Sequence, residues 1–120
     1  MAIHNDIGKI GEDLAVKWLV DKGYQMVTRN YRKPFGEIDI VARETRGRIH
    51  FVEVKSVSYE TRDLLEYAVS HETWRPEEMV HREKQRRFKN IIQTWLSESP
   101  NIIDFQIDII TVRLVPREKY

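Results

Sequence analysis

The chain has no cysteine, no apolar run of membrane-spanning length and no excess of either charge. Without cysteine there is neither a disulfide framework nor a thiolate site, which fits a reducing cytosol. The absence of a long apolar run excludes a transmembrane helix, and the first residues lack the apolar core of a signal peptide, so a cytoplasmic protein with no membrane partner is expected. The formal net charge is +1, too small to hold a nucleic acid by bulk attraction; any such binding must use a local patch. No second His or Cys stands at ligand spacing from His81, so a partnered or exposed histidine is expected there rather than a metal ligand. Repeats, low-complexity runs, a Gly-rich phosphate loop and a nucleophile elbow are also missing. What is present is 120 residues, 32% charged and 41% hydrophobic, the make-up of one globular domain over 1–120 with a modest core.

Residues 36–55 organise the rest. Ile38, Ile40 and Ala42 alternate with Glu37, Asp39, Val41 and Arg43. Ile49, Phe51 and Val52 lead into Glu53-Val54-Lys55. The intervening Glu44-Thr45-Arg46-Gly47 predicts a hairpin turn with Gly47 at positive φ. Asp39 is out of place in a strand. Glu53 and Lys55 share a parity and so a face. Paired strands can thus bring two carboxylates and an amine to one point. That set suits a hard divalent cation, which takes oxygen ligands and keeps waters, while lysine steadies charge on a phosphate or orients water. The spacing is equally compatible with a solvated face carrying a cross-strand ion pair worth a few tenths of a kcal/mol.

On either side of this hairpin, helical periodicity over 6–22 places Ile7, Ile10, Gly11, Leu14, Ala15 and Trp18 on an inward face, with Asn5 or Asp6 as cap and Gly23 at the end. Glu12 lies at the margin of that face, on the row Gly8, Glu12, Ala15, Leu19, where the small residues allow a close approach. By pattern it reads first as a solvated side chain. A first strand is expected over Tyr24–Thr28. The basic stretch Arg29, Arg32 and Lys33 then runs into Pro34-Phe35-Gly36 and reads as a solvated loop or a phosphate contact. Residues 56–73 read as a short helix, a flap or an interface element. Pro76-Glu77-Glu78 predicts the start of a helix ending near Ser97. Phe88, Ile91, Ile92, Trp95 and Leu96 form its buried face, and His81, Lys84 and Gln85 continue that arc toward the strand acids. Arg82, Arg86 and Lys89 make a flank suited to phosphates. A last strand is expected within 102–115, apolar on both faces as for a covered strand, with Asp108 as either a further site acid or a structural hydrogen-bonding group. The order is helix, three strands, helix, strand: an α/β sandwich with a mixed central sheet flanked by helices.

Asp39 followed by Glu53-Val54-Lys55 resembles the PD-(D/E)XK signature of the restriction-endonuclease-like superfamily. With Gly8-x-x-Gly11-Glu12-x-x-Ala15, Gly23-Tyr24, Arg29-Asn30-Tyr31-Arg32, Gly36-Glu37-Ile38-Asp39 and Lys84-x-x-Arg87, the chain is more closely similar to the YraN-like family of small bacterial proteins. Those are predicted endonucleases, distantly similar to archaeal Holliday-junction resolvases. Ile38 stands where the superfamily signature has proline.

The resemblance implies a nuclease-like domain with Mg²⁺, or Mn²⁺, held by Asp39, Glu53, the Val54 carbonyl and Glu12. Lys55 then acts on water or phosphate. Lys84, Gln85, Arg87 and Arg32 contact the substrate, a nucleic acid, with DNA and branched DNA foremost. It also implies a homodimer, for which the sequence names no face. Two other readings share the same residues: a nucleic-acid-binding module without turnover, and an interaction protein docking a partner through 56–73.

Overall fold

The structure, a computed structural model, describes residues 3–45, 47–71, 82–102 and 104–115. Helix α1 (Ile3–Asp21) leads into strands β1 (Gln25–Lys33), β2 (Gly36–Arg43) and β3 (Ile49–Ser58). Helices α2 (Arg62–His71) and α3 (Arg82–Ser97) follow, and strand β4 (Phe105–Leu114) closes the order. The four strands form one mixed sheet in the order β1-β2-β3-β4, antiparallel except for the parallel β3–β4 pair. This is the expected α/β arrangement, consistent with a sandwich. Among the described residues no helix is long and apolar enough to cross a membrane.

Helix α1 ends as its sequence requires. Gly23 takes φ +96° and donates its N–H to the Val20 carbonyl, while the Tyr24 N–H reaches the Leu19 carbonyl. This closed turn uses the glycine's tolerance of the left-handed region to satisfy two carbonyls. The start differs from expectation: the helix begins at Ile3, so Asn5 and Asp6 lie inside it rather than capping it. Its inward face is also rotated. Gly11, Ala15 and Leu19 are buried, whereas Ile10 and Trp18 are 42% and 53% exposed. Gly11 explains the rotation. A Cβ there would lie 1.9 Å from Ser56 Oγ, so α1 sits on β3 more closely than any side chain at 11 permits. Gly8, by contrast, faces open space.

Two apolar clusters cover the two faces of the sheet. Ala15 and Leu19 of α1 pack with Ile40, Ala42 and Val52. Ile91, Ile92 and Trp95 of α3 pack with Ile38, Val41, Ile49 and Phe51, and Phe88 and Leu96 border them. The predicted face of α3 is thus the one it buries. Its predicted beginning, Pro76-Glu77-Glu78, and His81 lie outside the described residues.

Two further expectations change. The first strand is longer than Tyr24–Thr28: it runs to Lys33, and Pro34-Phe35 form a two-residue turn into Gly36. The last strand is an edge strand, not a covered one. Its inner half feeds Ile110 and Val112 to the α1 cluster, but Phe105, Ile107 and Ile109 are 40–45% exposed, because α3 packs over β2 instead. The segment after Lys55 continues β3 to Ser58, and Thr61 then caps α2 through its hydroxyl, which accepts the Leu64 N–H at 3.2 Å.

Candidate functional site: an acidic strand end facing a basic basin

The β2–β3 ladder stops at Ile40–Val52, and beyond it the two strands part. The alternation of β2 breaks at the same place. Ile38 joins the α3-side cluster and Ile40 the α1-side cluster, so Asp39 between them belongs to neither face. Opposite it, Asn30 of β1 takes φ 53°, a left-handed conformation that asparagine tolerates. Asp39 instead reaches across the gap: its Oδ2 accepts the Val54 N–H at 2.8 Å, standing in for a ladder bond. A carboxylate mid-strand thus has a position that an apolar residue could not fill.

Glu53 lies on the α3 side of β3, largely buried. Its Oε1 is 3.0 Å from the amine of Lys55 and 3.0 Å from that of Lys84 on α3. Asp39, Glu53, Val54, Lys55, Lys84, Arg87 and Arg32 all line one open basin of about 1110 Å³ between the β1–β2 turn and α3. Gln85 is exposed and does not line it, because it sits one position round the helix from Lys84. Arg32 is ion-paired with Glu37 at 3.2 Å.

Glu12 is not the solvated marginal side chain its pattern suggests. The Arg29 guanidinium clamps it, with Nη2 at 2.9 Å and Nε at 3.2 Å from Oε1, and the same Nη2 bonds Asp13 at 2.8 Å. Arg29 is therefore turned to α1, away from the basin. Glu12 opens on a smaller recess of about 330 Å³ with Gly8, Ser56 and Ser58, and Asp39 and Val54 border that recess too. Asp39 stands between the two; Glu12 and Glu53 lie on either side. Among the described residues no three His, Asp or Glu side chains are grouped so as to hold a metal ion.

The electrostatics separate the two strand acids. Burial pushes the Asp39 carboxyl up to about 6; the Val54 N–H opposes this, and the charges of Glu37, Glu12 and Glu53 add to it. For Glu53, burial also disfavours the charge, but the two lysines outweigh it and hold the carboxyl below its ordinary value. Burial and the neighbouring Lys84 hold the Lys55 amine below its ordinary value, against the pull of Glu53. The donors at this strand end are carboxylate oxygens, the class that Mg²⁺ and Mn²⁺ prefer. Mg²⁺ typically takes one or two protein carboxylates and keeps waters, and Asp39 and Glu53 are the residues that would hold one here.

A second polar cluster, with His50 at its centre, could not be read from spacing. His50 of β3 is 3% exposed and both ring nitrogens are engaged: Nδ1 is 2.6 Å from Asp108 Oδ2 and Nε2 is 2.5 Å from Glu44 Oε2. Asp108 also accepts from the Gln106 amide at 2.7 Å, and Tyr24 meets the imidazole edge-on. Asp108 therefore takes the structural role, away from the basin. Burial alone would lower the His50 pKa, but its hydrogen bonds to Asp108 and Glu44 and their charges raise it above the ordinary value.

The sequence profile of the uncharacterised protein family UPF0102 matches residues 11–112. A UPF0102 protein of Dictyoglomus turgidum is 36% identical over 115 residues, 95% of this chain and 87% of that one. One from Rhodococcus opacus is 38% identical over 99 residues, 82% and 74% of the two chains. Another, from Nitrobacter winogradskyi, is 36% identical over 110 residues, 92% and 81%. The match spans the glutamate of α1, the acidic strand end and the basin, and the chain belongs to the family UPF0102, the YraN-like grouping.

Proposed function

We propose that this chain is a metal-dependent endonuclease of the PD-(D/E)XK type, hydrolysing phosphodiester bonds in nucleic acid, with DNA, branched DNA included, as its substrate. The observation that carries the reading is the convergence of Asp39, Glu53 and Lys55 at the parted end of β2 and β3, on the wall of an open basin lined by Lys84, Arg87 and Arg32. Acids alone would repel a phosphodiester. Burial, with the neighbouring acids adding to it, disfavours the charge on Asp39, and a cation held by Asp39 and Glu53 would relieve this.

Mg²⁺ or Mn²⁺, when bound, supplies Lewis acidity toward a phosphoryl oxygen and lowers the pKa of a bound water. The chain's own groups do the rest. Lys55, held 3.0 Å from Glu53, orients the attacking water and stabilises charge on the phosphate. Lys84 and Arg87 from α3 and Arg32 from β1 position the flanking phosphates. Glu12, fixed by Arg29, acts on Asp39 through charge from the adjoining recess. The test is Mg²⁺- or Mn²⁺-dependent cleavage of branched and flapped DNA by the wild type and by Asp39→Asn and Glu53→Gln. Loss in both variants supports the assignment; cleavage that survives both rejects it.

A second reading, a nucleic-acid-binding module without turnover, is favoured by one observation. Glu53 is already satisfied by two lysines and Glu12 by Arg29. Calorimetry separates the two readings: no heat of Mg²⁺ or Mn²⁺ binding, with salt-sensitive DNA affinity retained, supports binding alone.

A further inference from the structure

The β1–β2 turn is unusually well anchored for a two-residue loop. On one side Gly36 lies so close to α3 that a Cβ would meet Ile91 Cβ at 3.2 Å and the Arg87 carbonyl at 3.3 Å. On the other, the Tyr31 hydroxyl donates to Glu98 in a short hydrogen bond, and the Lys33 amine stands 3.8 Å from the same carboxylate. Pro34 restricts the turn itself. At the tip of this clamped hairpin is Phe35, 47% exposed and on the rim of the basin. Its ring is not among the side chains that pack against the cluster beneath, which Tyr31 and Phe88 border.

Its surroundings are those of a nucleic-acid groove. Six basic and four acidic residues line the basin, and the acidic ones include the Asp39 and Glu53 of the proposed cleavage site. Phe88, half-buried, adds a second aromatic to the same wall. Cationic side chains that track a backbone, with an aromatic ring standing among them, are the composition of a base-stacking platform. In the interior of an intact duplex both faces of every base are already stacked. Only a base released at a fork, flap or gap offers a free π-face to a ring that projects from a rigid turn.

Resting on the nuclease reading, we propose that Phe35 is a specificity-determining residue that stacks against an unpaired base of the DNA and so selects interrupted duplex over continuous duplex. Phosphates on either side of that base lie along Arg32 and Arg87. The rigid turn sets the distance between the stacked base and the acidic strand end, and hence which bond meets Asp39 and Glu53.

The experiment compares wild type, Phe35→Ala and Phe35→Trp on a forked DNA with 2-aminopurine at the first unpaired position, and on a blunt duplex of equal length. Affinity is read by anisotropy without divalent metal; nicking of both DNAs is read separately with Mg²⁺. The expected result is a loss of about 5- to 150-fold in fork affinity for Phe35→Ala, the range for one stacked base. Blunt-duplex affinity stays within about twofold, the 2-aminopurine quenching disappears, and Phe35→Trp restores both. An equal effect on the two DNAs, no effect on either, or a wild type that does not prefer the fork overturns the proposal. The two claims fail separately. Mg²⁺-dependent nicking with no role for Phe35 leaves the nuclease reading standing without the stacking residue. Fork selection that depends on Phe35 without nicking leaves the stacking residue on a binding module.

Discussion

Two polar clusters on the sheet, one around His50 and one around Asp39, are built on different principles. Around His50, an imidazole lies between two carboxylates, its hydrogen bonds are short, and Arg48 and Gln106 complete the outer contacts. Positive and negative groups match, and the ring is buried. Around Asp39 the balance differs: burial raises its pKa, the charges of Glu37, Glu12 and Glu53 add to this, and the Val54 N–H that its Oδ2 accepts only partly opposes it. That strand end faces an open basin instead of a closed core. The first place is arranged as a structural joint, tying the β2–β3 turn to β4. The second keeps a carboxyl whose charge is disfavoured chiefly by burial on the wall of a cleft, and a perturbed carboxyl so placed is a candidate for completion by a ligand.

Breaking the matched cluster is expected to have the largest effect on stability. His50→Ala leaves Glu44 and Asp108 facing each other without the cation between them and removes the ring that meets Tyr24. A loss of about 3 kcal/mol in denaturant unfolding is expected, reduced from the fully buried case because both carboxylates reach solvent. The loss depends on pH. A raised folded pKa means the stabilisation from His50 is fully present below its unfolded value near 6.5 and fades as pH rises through the folded value. Unfolding of wild type and His50→Ala at pH 6 and pH 9 should show the gap narrowing at the higher pH.

Gly11 holds α1, and so Glu12, against the strand that carries Glu53. Gly11→Ala drives a methyl group into Ser56 and should cost about 2 kcal/mol by the same assay. It should also weaken the influence of Glu12 on Asp39, which an NMR titration of the Asp39 carboxyl would register as a lower pKa.

The smallest expected change has the opposite sign. Asp39→Asn keeps an acceptor for the Val54 N–H but removes the charge, and a gain of about 1 kcal/mol at pH 7 is expected. For a carboxyl raised to about 6, the cost is absent below the unfolded value near 4, develops between 4 and 6, and is fully present above 6. The advantage of the variant should therefore vanish at pH 4. A variant that is less stable than wild type at pH 7 would show that the acidic end is as well matched as the His50 cluster.

The contrast also explains which features could be read from sequence. The 44–47 turn, with Gly47 at φ +94°, follows from composition, and so does the buried arc of α3. The approach of Lys84 to Glu53 follows from the helical period carried one turn beyond that arc. The face of α1 does not, because apolar residues lie nearly all round it, and a single close contact at Gly11 decides the rotation. The exposed edge of β4 is a matter of strand order, to which local pattern is blind. The break in alternation at Asp39 is a tertiary event, read from the strands' partners rather than from the residues of β2. His50 finds its carboxylates 6 and 58 residues away, separations at which no periodic signal exists.

The central claim is that the charge which burial disfavours on Asp39 is stabilised by a divalent cation. Thermal unfolding of wild type and Asp39→Asn across a Mg²⁺ titration tests it most directly, since an ion that binds only the folded state raises the midpoint by mass action. The account predicts a midpoint that climbs with Mg²⁺ for the wild type and stays flat for Asp39→Asn. A flat wild-type curve, or an equal rise in both proteins, would contradict it.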